Sequence, residues 1–192
     1  MAKLFIFRHG QTFDNNAHIF SGFRQTDLTA EGIDEAKGIG EKLKDEAVVK
    51  AYQSDLVRSQ HTLDLVLNPW HLNAEIFTDS RIKERDYGDL TGKNKDELAQ
   101  KFPDKFSLWH RSYDTAPPNG ESLRDVEKRV LSFLDDLIPT IRKDDVIFIS
   151  AHGNSLRPIR KYFEGLTNEE MATFEHVPGQ VYCYQIGNQR NT

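Results

Sequence analysis

Leu4-Phe5-Ile6-Phe7-Arg8-His9-Gly10 and Val146-Ile147-Phe148-Ile149-Ser150-Ala151-His152-Gly153 decide the fold between them. Each is a short apolar run that stops at His-Gly. Strands with no polar alternation are buried on both faces, as in a parallel sheet covered by helices. Strands of such a sheet share one direction, so both histidines emerge at the same carboxyl edge. That edge is where open α/β sheets bind ligands. If the two strands are neighbours, the imidazoles lie close together. The glycine after each histidine permits a sharp turn and a close approach of ligand to backbone.

Outward from these two runs, helices and strands alternate. Ile33, Ala36, Ile39 and Leu43 recur at helical spacing, which predicts a helix over Ala30 to Glu46 with Thr29 as N-cap. Val48 to Tyr52 reads as a strand, and Ser54 as the cap of a helix carrying Leu56, Leu63, Val66 and Leu67. Glu75 to Thr78 is a weaker strand. Arg81 to Gly92 is polar and irregular; Asn94 with Glu97 gives a capping-box pattern opening a helix to Phe102. Pro117-Pro118-Asn119-Gly120 is a dense loop signal. From Ser122 runs the clearest helix, with Val126, Val130, Phe133, Leu134 and Leu137 on one face as core packing. Ser155 to Phe163 looks helical, with Pro158 tolerable only in a first turn, and Val181 to Ile186 is a last strand holding Cys183 as a small core residue. The expectation is one α/β domain over residues 1–192. It is a three-layer sandwich with a mostly parallel central sheet, helices on both faces, and residues 81–120 inserted over the active-site edge.

Composition narrows the function. The chain has 192 residues with Lys+Arg 25 against Asp+Glu 30, a net charge of −5. A mildly acidic protein is a poor partner for nucleic acid or an anionic membrane. No apolar run is long enough for a membrane span or a signal segment. The lone Cys183 rules out an internal disulfide and a Cys-rich metal site. These features predict a cytoplasmic protein; self-association into a homo-oligomer is left open.

Three chemistries suit a matched pair of histidines. A metal site needs a third ligand, and no tight His/Asp/Glu cluster accompanies either strand end. A hydrogen-bonded strand-end residue explains one histidine better than two. The third is nucleophilic attack on phosphorus: imidazole is neutral near pH 7 and needs no base to activate it. A backbone carbonyl would fix the other ring nitrogen as N–H. The equatorial oxygens of a transferred phosphoryl group require donors in place beforehand. Arg8 beside His9, Arg58 near the start of the following helix and, if protonated, His152 are the candidates. Arg85, Lys93, Lys95 and Arg111 add to a cationic locale on an acidic protein, which points to a small anionic substrate.

Arg8-His9-Gly10-Gln11-Thr12 resembles the signature of the histidine phosphatase superfamily, with its phosphoglycerate mutase-like fold. Further segments are similar to the 2,3-bisphosphoglycerate-dependent phosphoglycerate mutase branch. These are Asn15 to Gly22, Asp27-Leu28-Thr29, Ser54 to Thr62, Glu84 to Lys95, Pro117 to Leu123 and Ala151 to Arg157. The resemblance implies that His9 is the phosphorylated nucleophile and Glu84 the acid/base. It implies that Arg8, Arg58 and His152 bind the phosphoryl group. Asn15, Ser21, Gly22, Tyr87, Lys95, Arg111 and Asn154 would hold the phosphate and carboxylate of a glycerate. The implied reaction interconverts 3- and 2-phosphoglycerate after priming by 2,3-bisphosphoglycerate, with no metal. The alternative is a metal-independent phosphomonoesterase of the same superfamily.

The chain departs from the mutase pattern in three places. Trp109 is followed by His110 and Arg111 where mutases usually carry Arg-Arg. The stretch from Lys95 to Pro117 is shorter than in many members. Only Gly187 to Thr192 follow the last strand. All three bear on how well water is kept from the phosphoenzyme, which separates a mutase from a phosphatase. His110 either takes the place of a substrate-binding Arg or faces solvent; His18, His61, His71 and His176 are given no role.

Overall fold

A computed structural model describes residues 1–187; the segment after Gly187 that the sequence singles out lies outside the described residues. The strands are β1 (Ala2–Arg8), β2 (Lys50–Gln53), β3 (Glu75–Thr78), β4 (Val146–Ala151) and β5 (Val181–Ile186). They form one sheet in the order β3-β2-β4-β1-β5. β1, β2, β3 and β4 run parallel, and β5 pairs antiparallel to β1.

Alternation along the central strands builds two cores. Leu4, Ile6, Ile147 and Ile149 point to one face, where α6 (Leu123–Leu137) and α7 (Gly153–Glu164) cover them. Phe5, Phe7, Val146 and Phe148 point to the other, against α2 (Ala30–Leu43) and α3 (Val57–Leu67). The result is the three-layer α/β sandwich that the apolar runs imply. The remaining helices are short: α1 (Phe13–Asn16), α4 (Lys95–Lys101), α5 (Pro103–Arg111) and α8 (Asn168–Thr173).

Several element boundaries differ from the sequence reading, each for a local reason. α2 stops at Leu43, and Glu46 lies beyond it, where it receives Lys3 Nζ at 3.0 Å. β2 begins at Lys50; Val48 is buried under α2 instead. Ser54 does not cap α3. Its hydroxyl is taken by Leu56 N and His152, and Gln25 Oε1 accepts from Val57 N at 2.9 Å in its place. Asn94 does cap α4, accepting from Asp96 N and Glu97 N. α5, which the sequence reading leaves as loop, opens with Pro103 in its first turn. Pro158 sits inside α7, beyond the first turn, with α7 starting at Gly153. Cys183 is exposed and not core, because β5 is an edge strand whose alternate residues Tyr182, Tyr184 and Ile186 face the core.

Candidate active site

Arg8 pairs with Ala151 in the β1–β4 register, and His9 N donates to Ala151 O at 3.0 Å. Adjacent parallel strands therefore end together at His9 and His152, whose ring centroids are 5.0 Å apart. Gly10 is required here by packing: a Cβ on it would stand 2.1 Å from the carbonyl oxygen of Gly32 at the start of α2.

His9 is buried, and Nδ1 lies 2.7 Å from its neighbour's carbonyl, Gly10 O. That carbonyl can only accept, so Nδ1 carries the proton and Nε2 the lone pair. Burial, then the charges of Arg58 and Arg8, push the His9 pKa well below the usual imidazole value. The ring is neutral at pH 7, as a nucleophile must be. Arg58 Nε points at Nε2 from 3.3 Å. Arg58 is itself locked, donating from Nη1 to Arg24 O at 2.9 Å and from Nη2 to Gly22 O at 2.8 Å.

The sequence leaves the protonation of His152 as a condition, and the structure resolves it. Burial, reinforced by Arg58, His9 and Arg8, lowers its pKa well below normal, so it is neutral and not an imidazolium. A neutral ring keeps one N–H and remains a single donor. Nε2 lies 2.7 Å from Ser54 Oγ, and Ser155 Oγ accepts from the His152 amide at 3.1 Å.

A polar pocket of about 200 Å³ adjoins this pair. Its wall includes the predicted Arg8, Asn15, Ser21, Gly22, Glu84, Tyr87, Lys95, Arg111 and Asn154. His9, Arg58 and His152 are not in that wall; they lie next to it, through Arg8, the Gly22 carbonyl and Gly153. Residues 81–120 supply Glu84, Tyr87, Lys95, His110 and Arg111.

Glu84 is buried, which alone would raise its pKa. The Arg85 amide, the Arg58 charge and Asn154 outweigh burial and hold it below the usual carboxylate value. Oε1 receives Arg85 N at 2.7 Å, Asn154 N at 3.2 Å and Asn154 Nδ2 at 2.9 Å. Those bonds fix the carboxylate and leave Oε2 free for proton transfer. Asn154 Nδ2 also donates to Tyr87 OH at 2.9 Å, so Asn154 orients two pocket residues. Thr12 and Asn15 cap α1 reciprocally, which sets Asn15 at the rim.

Of the charged or imidazole side chains in the wall, Arg157, Glu175 and His176 carry no role in the sequence reading, and His110 stands there between replacing a substrate-binding Arg and facing solvent. His110 packs edge-on to Phe20, centroid to centroid 5.6 Å, and burial with nearby cations brings its pKa to about 3. It faces the pocket as a neutral ring and does not replace a missing arginine's charge. Arg157 lies inside the quoted His-Gly-Asn-Ser-Leu-Arg segment; helical spacing along α7 is the signal that could have placed it here. Glu175 and His176 follow α8 and have no sequence signal. Arg85, grouped with the cations by sequence, is instead fully buried and holds the carbonyl of Glu121 at 2.6 Å. Lys93 is exposed and absent from the wall.

The wall is arranged for an anion. The donors Arg8 Nε, Ser21 Oγ and Arg157 Nε are buried there without a hydrogen-bond partner. Orphaned buried polar atoms are costly and rare outside sites that bind something. Among the described residues, no three His, Cys, Asp or Glu side chains gather as a metal site, and no helix is long and apolar enough to cross a membrane.

Residues 4–192 match the histidine phosphatase superfamily (branch 1). The 2,3-bisphosphoglycerate-dependent phosphoglycerate mutase of Nitrobacter winogradskyi is 41% identical over 188 residues, covering 95% of this chain and 91% of that one. The mutase of the same name from Azorhizobium caulinodans is 39% identical, covering 96% and 92%. Among solved structures, Bacillus stearothermophilus YhfR superposes with a TM-score of 0.87 at 25% identity, covering 98% of this chain and 93% of that one. The alpha-ribazole phosphatase of Shigella flexneri gives 0.82 at 28% identity, covering 97% and 91%.

Proposed function

The chain belongs to the histidine phosphatase superfamily, and from that premise we propose that it is a 2,3-bisphosphoglycerate-dependent phosphoglycerate mutase, interconverting 3- and 2-phosphoglycerate. One observation carries the reading. A neutral His9 with its Nε2 lone pair aligned on Arg58 is combined with an ionised Glu84 whose Oε2 is free. The free Nε2 lone pair suits attack on phosphorus, and the ionised Glu84 suits removal of the proton from the hydroxyl that afterwards takes the phosphoryl group from His9. Loading His9 from a phosphoester uses the protonated form of Glu84, which hands its proton to the departing oxygen. The orphaned donors Arg8 Nε, Ser21 Oγ and Arg157 Nε of the pocket wall fit a small anionic molecule.

In this reading 2,3-bisphosphoglycerate supplies the phosphoryl group that loads His9. Arg8 and Arg58 neutralise its equatorial oxygens, and His152 donates one hydrogen bond. Glu84 Oε2 takes the proton from the glycerate hydroxyl as the oxygen attacks phosphorus and the N–P bond breaks. In the reverse transfer Glu84 returns that proton to the departing oxygen while Nε2 forms the new bond. Lys95 and Arg111 hold the carboxylate end, with Asn15, Ser21, Gly22, Tyr87 and Asn154 around the glycerate. Residues 1–192 act as one domain, with 81–120 supplying the acid/base and the carboxylate end. The protein then works on a small phosphorylated metabolite in the cytoplasm, without metal.

The test feeds 3-phosphoglycerate with a catalytic amount of 2,3-bisphosphoglycerate and measures 2-phosphoglycerate against free phosphate. A large excess of 2-phosphoglycerate is expected. Release of phosphate as the main product would replace the mutase by the phosphomonoesterase.

A further inference from the structure

Lys95, Arg111 and Arg157 line the pocket with His110, and after burial their charges and that of Arg85 depress its pKa. This cationic part of the wall already holds an anion belonging to the protein. Arg111, in the last turn of α5, donates from Nη2 to Glu175 Oε1 at 2.6 Å. The two residues are 64 positions apart in sequence and both line the pocket.

The Glu175 backbone is held on both sides. Phe174 lies under the Arg160 guanidinium at 4.0 Å and near that of Arg157 at 4.8 Å. His176, neutral with a pKa brought to about 3, donates from Nε2 to Gly153 O at 2.7 Å. The loop between α8 and β5 is thereby fastened to the start of α7, beside the catalytic strand end. From that anchored position the Glu175 carboxylate reaches across to Arg111, while most of its side chain stays in solvent.

We propose that Glu175 is a specificity-determining residue, a built-in competitor for the carboxylate end of the pocket that sets how strongly it prefers phosphomonoesters bearing a carboxylate. Because it acts through Arg111, Glu175 is a positioning residue and not a catalytic one. A substrate carboxylate must displace Glu175 before Arg111 can bind it. A phosphomonoester without a carboxylate leaves the pair in place and gains nothing from its removal. Exposed ion pairs are weak, so the competition amounts to about two- to fivefold in affinity. Such a term keeps ground-state binding loose without touching the phosphoryl end, where the rate is set.

The inference rests on the mutase reading for the identity of the ligand, and the experiment separates the two. Titration calorimetry measures binding of 3-phosphoglycerate and of glycerol 1-phosphate, which lacks the carboxylate, to the wild type, Glu175→Gln, Arg111→Gln and the double variant. Glu169→Gln on α8 removes the same charge nearby and serves as control. Glu175→Gln should bind 3-phosphoglycerate about two- to fivefold more tightly, with glycerol 1-phosphate and the control unchanged. On the Arg111→Gln background, Glu175→Gln should have no effect. Unchanged or weaker binding of 3-phosphoglycerate by Glu175→Gln overturns the proposal, and so does equal tightening of both ligands. If wild type makes no 2-phosphoglycerate but the calorimetric pattern holds, the mutase reading alone fails. If turnover is present and the pattern is absent, the competition alone fails.

Discussion

Arg58→Met is the most demanding test of the proposed phosphoryl site. The substitution keeps an unbranched apolar stem and removes the guanidinium. Three contacts go: Nε to His9 Nε2 at 3.3 Å, Nη1 to Arg24 O at 2.9 Å and Nη2 to Gly22 O at 2.8 Å. Two of them end on carbonyls, and a hydrogen bond from a charged group contributes about 1.5–3 kcal/mol. The gross loss is therefore about 3–6 kcal/mol. Against it stands the several kcal/mol that burying a guanidinium costs, since Arg58 is only 1% exposed. The two nearly cancel, leaving a net destabilisation of about 2 kcal/mol or less, or roughly 4–8 °C in Tm at this chain length. Transfer should fall much further, because a preorganised donor to a developing oxyanion is worth about 100- to 1000-fold in kcat. The assays are thermal unfolding, followed by initial rates with 3-phosphoglycerate below the variant's transition. A folded variant that keeps more than about a tenth of wild-type kcat would show that Arg58 is a structural arginine clamping the Gly22 and Arg24 carbonyls.

His9→Ala should fold and take no label from 2,3-bisphosphoglycerate, whereas wild type gives an acid-labile, alkali-stable phosphoprotein; label on a serine or threonine would remove His9 from its role. Glu84→Gln should lower kcat by about 100- to 10,000-fold. It should also flatten the acid limb of the stability profile. The Glu84 pKa is lower folded than unfolded, so its contribution is complete above about pH 4.5 and lost as pH falls through the folded value. Urea unfolding of both proteins from pH 6 to pH 3 reads the difference, and parallel curves would contradict it. Cys183 should react fully with an aromatic disulfide reagent in the native protein without loss of activity, because it lies on the exposed face of β5; protection until unfolding would place it elsewhere. Chelation with EDTA should leave turnover intact, and a loss restored by a divalent metal would favour the two-histidine metal chemistry.

Two His-Gly strand ends made the sheet and the position of its reactive edge legible in the sequence, because a strand's burial on both faces is written in its own residues. The same is true of the α6 stripe and of the Thr29 cap, whose interactions span only a few positions. The two histidines, Glu84 and the arginines that line or adjoin the pocket were singled out through their motif segments. Charge states were not: the protonation of His152 stood open in the sequence, and burial, with Arg58, His9 and Arg8, holds it neutral. Ser54 looked like a helix cap, yet its hydroxyl partner is 98 residues away.

The primary sequence thus determined the features that arise from short-range pattern, namely layer order, strand direction and the residue types gathered at one edge. Tertiary structure alone decided which of those groups are protonated, which buried donors lack partners, and that Glu175 reaches Arg111. Those properties depend on desolvation and on Coulomb forces between segments far apart in the chain, and neither is defined until the segments have packed.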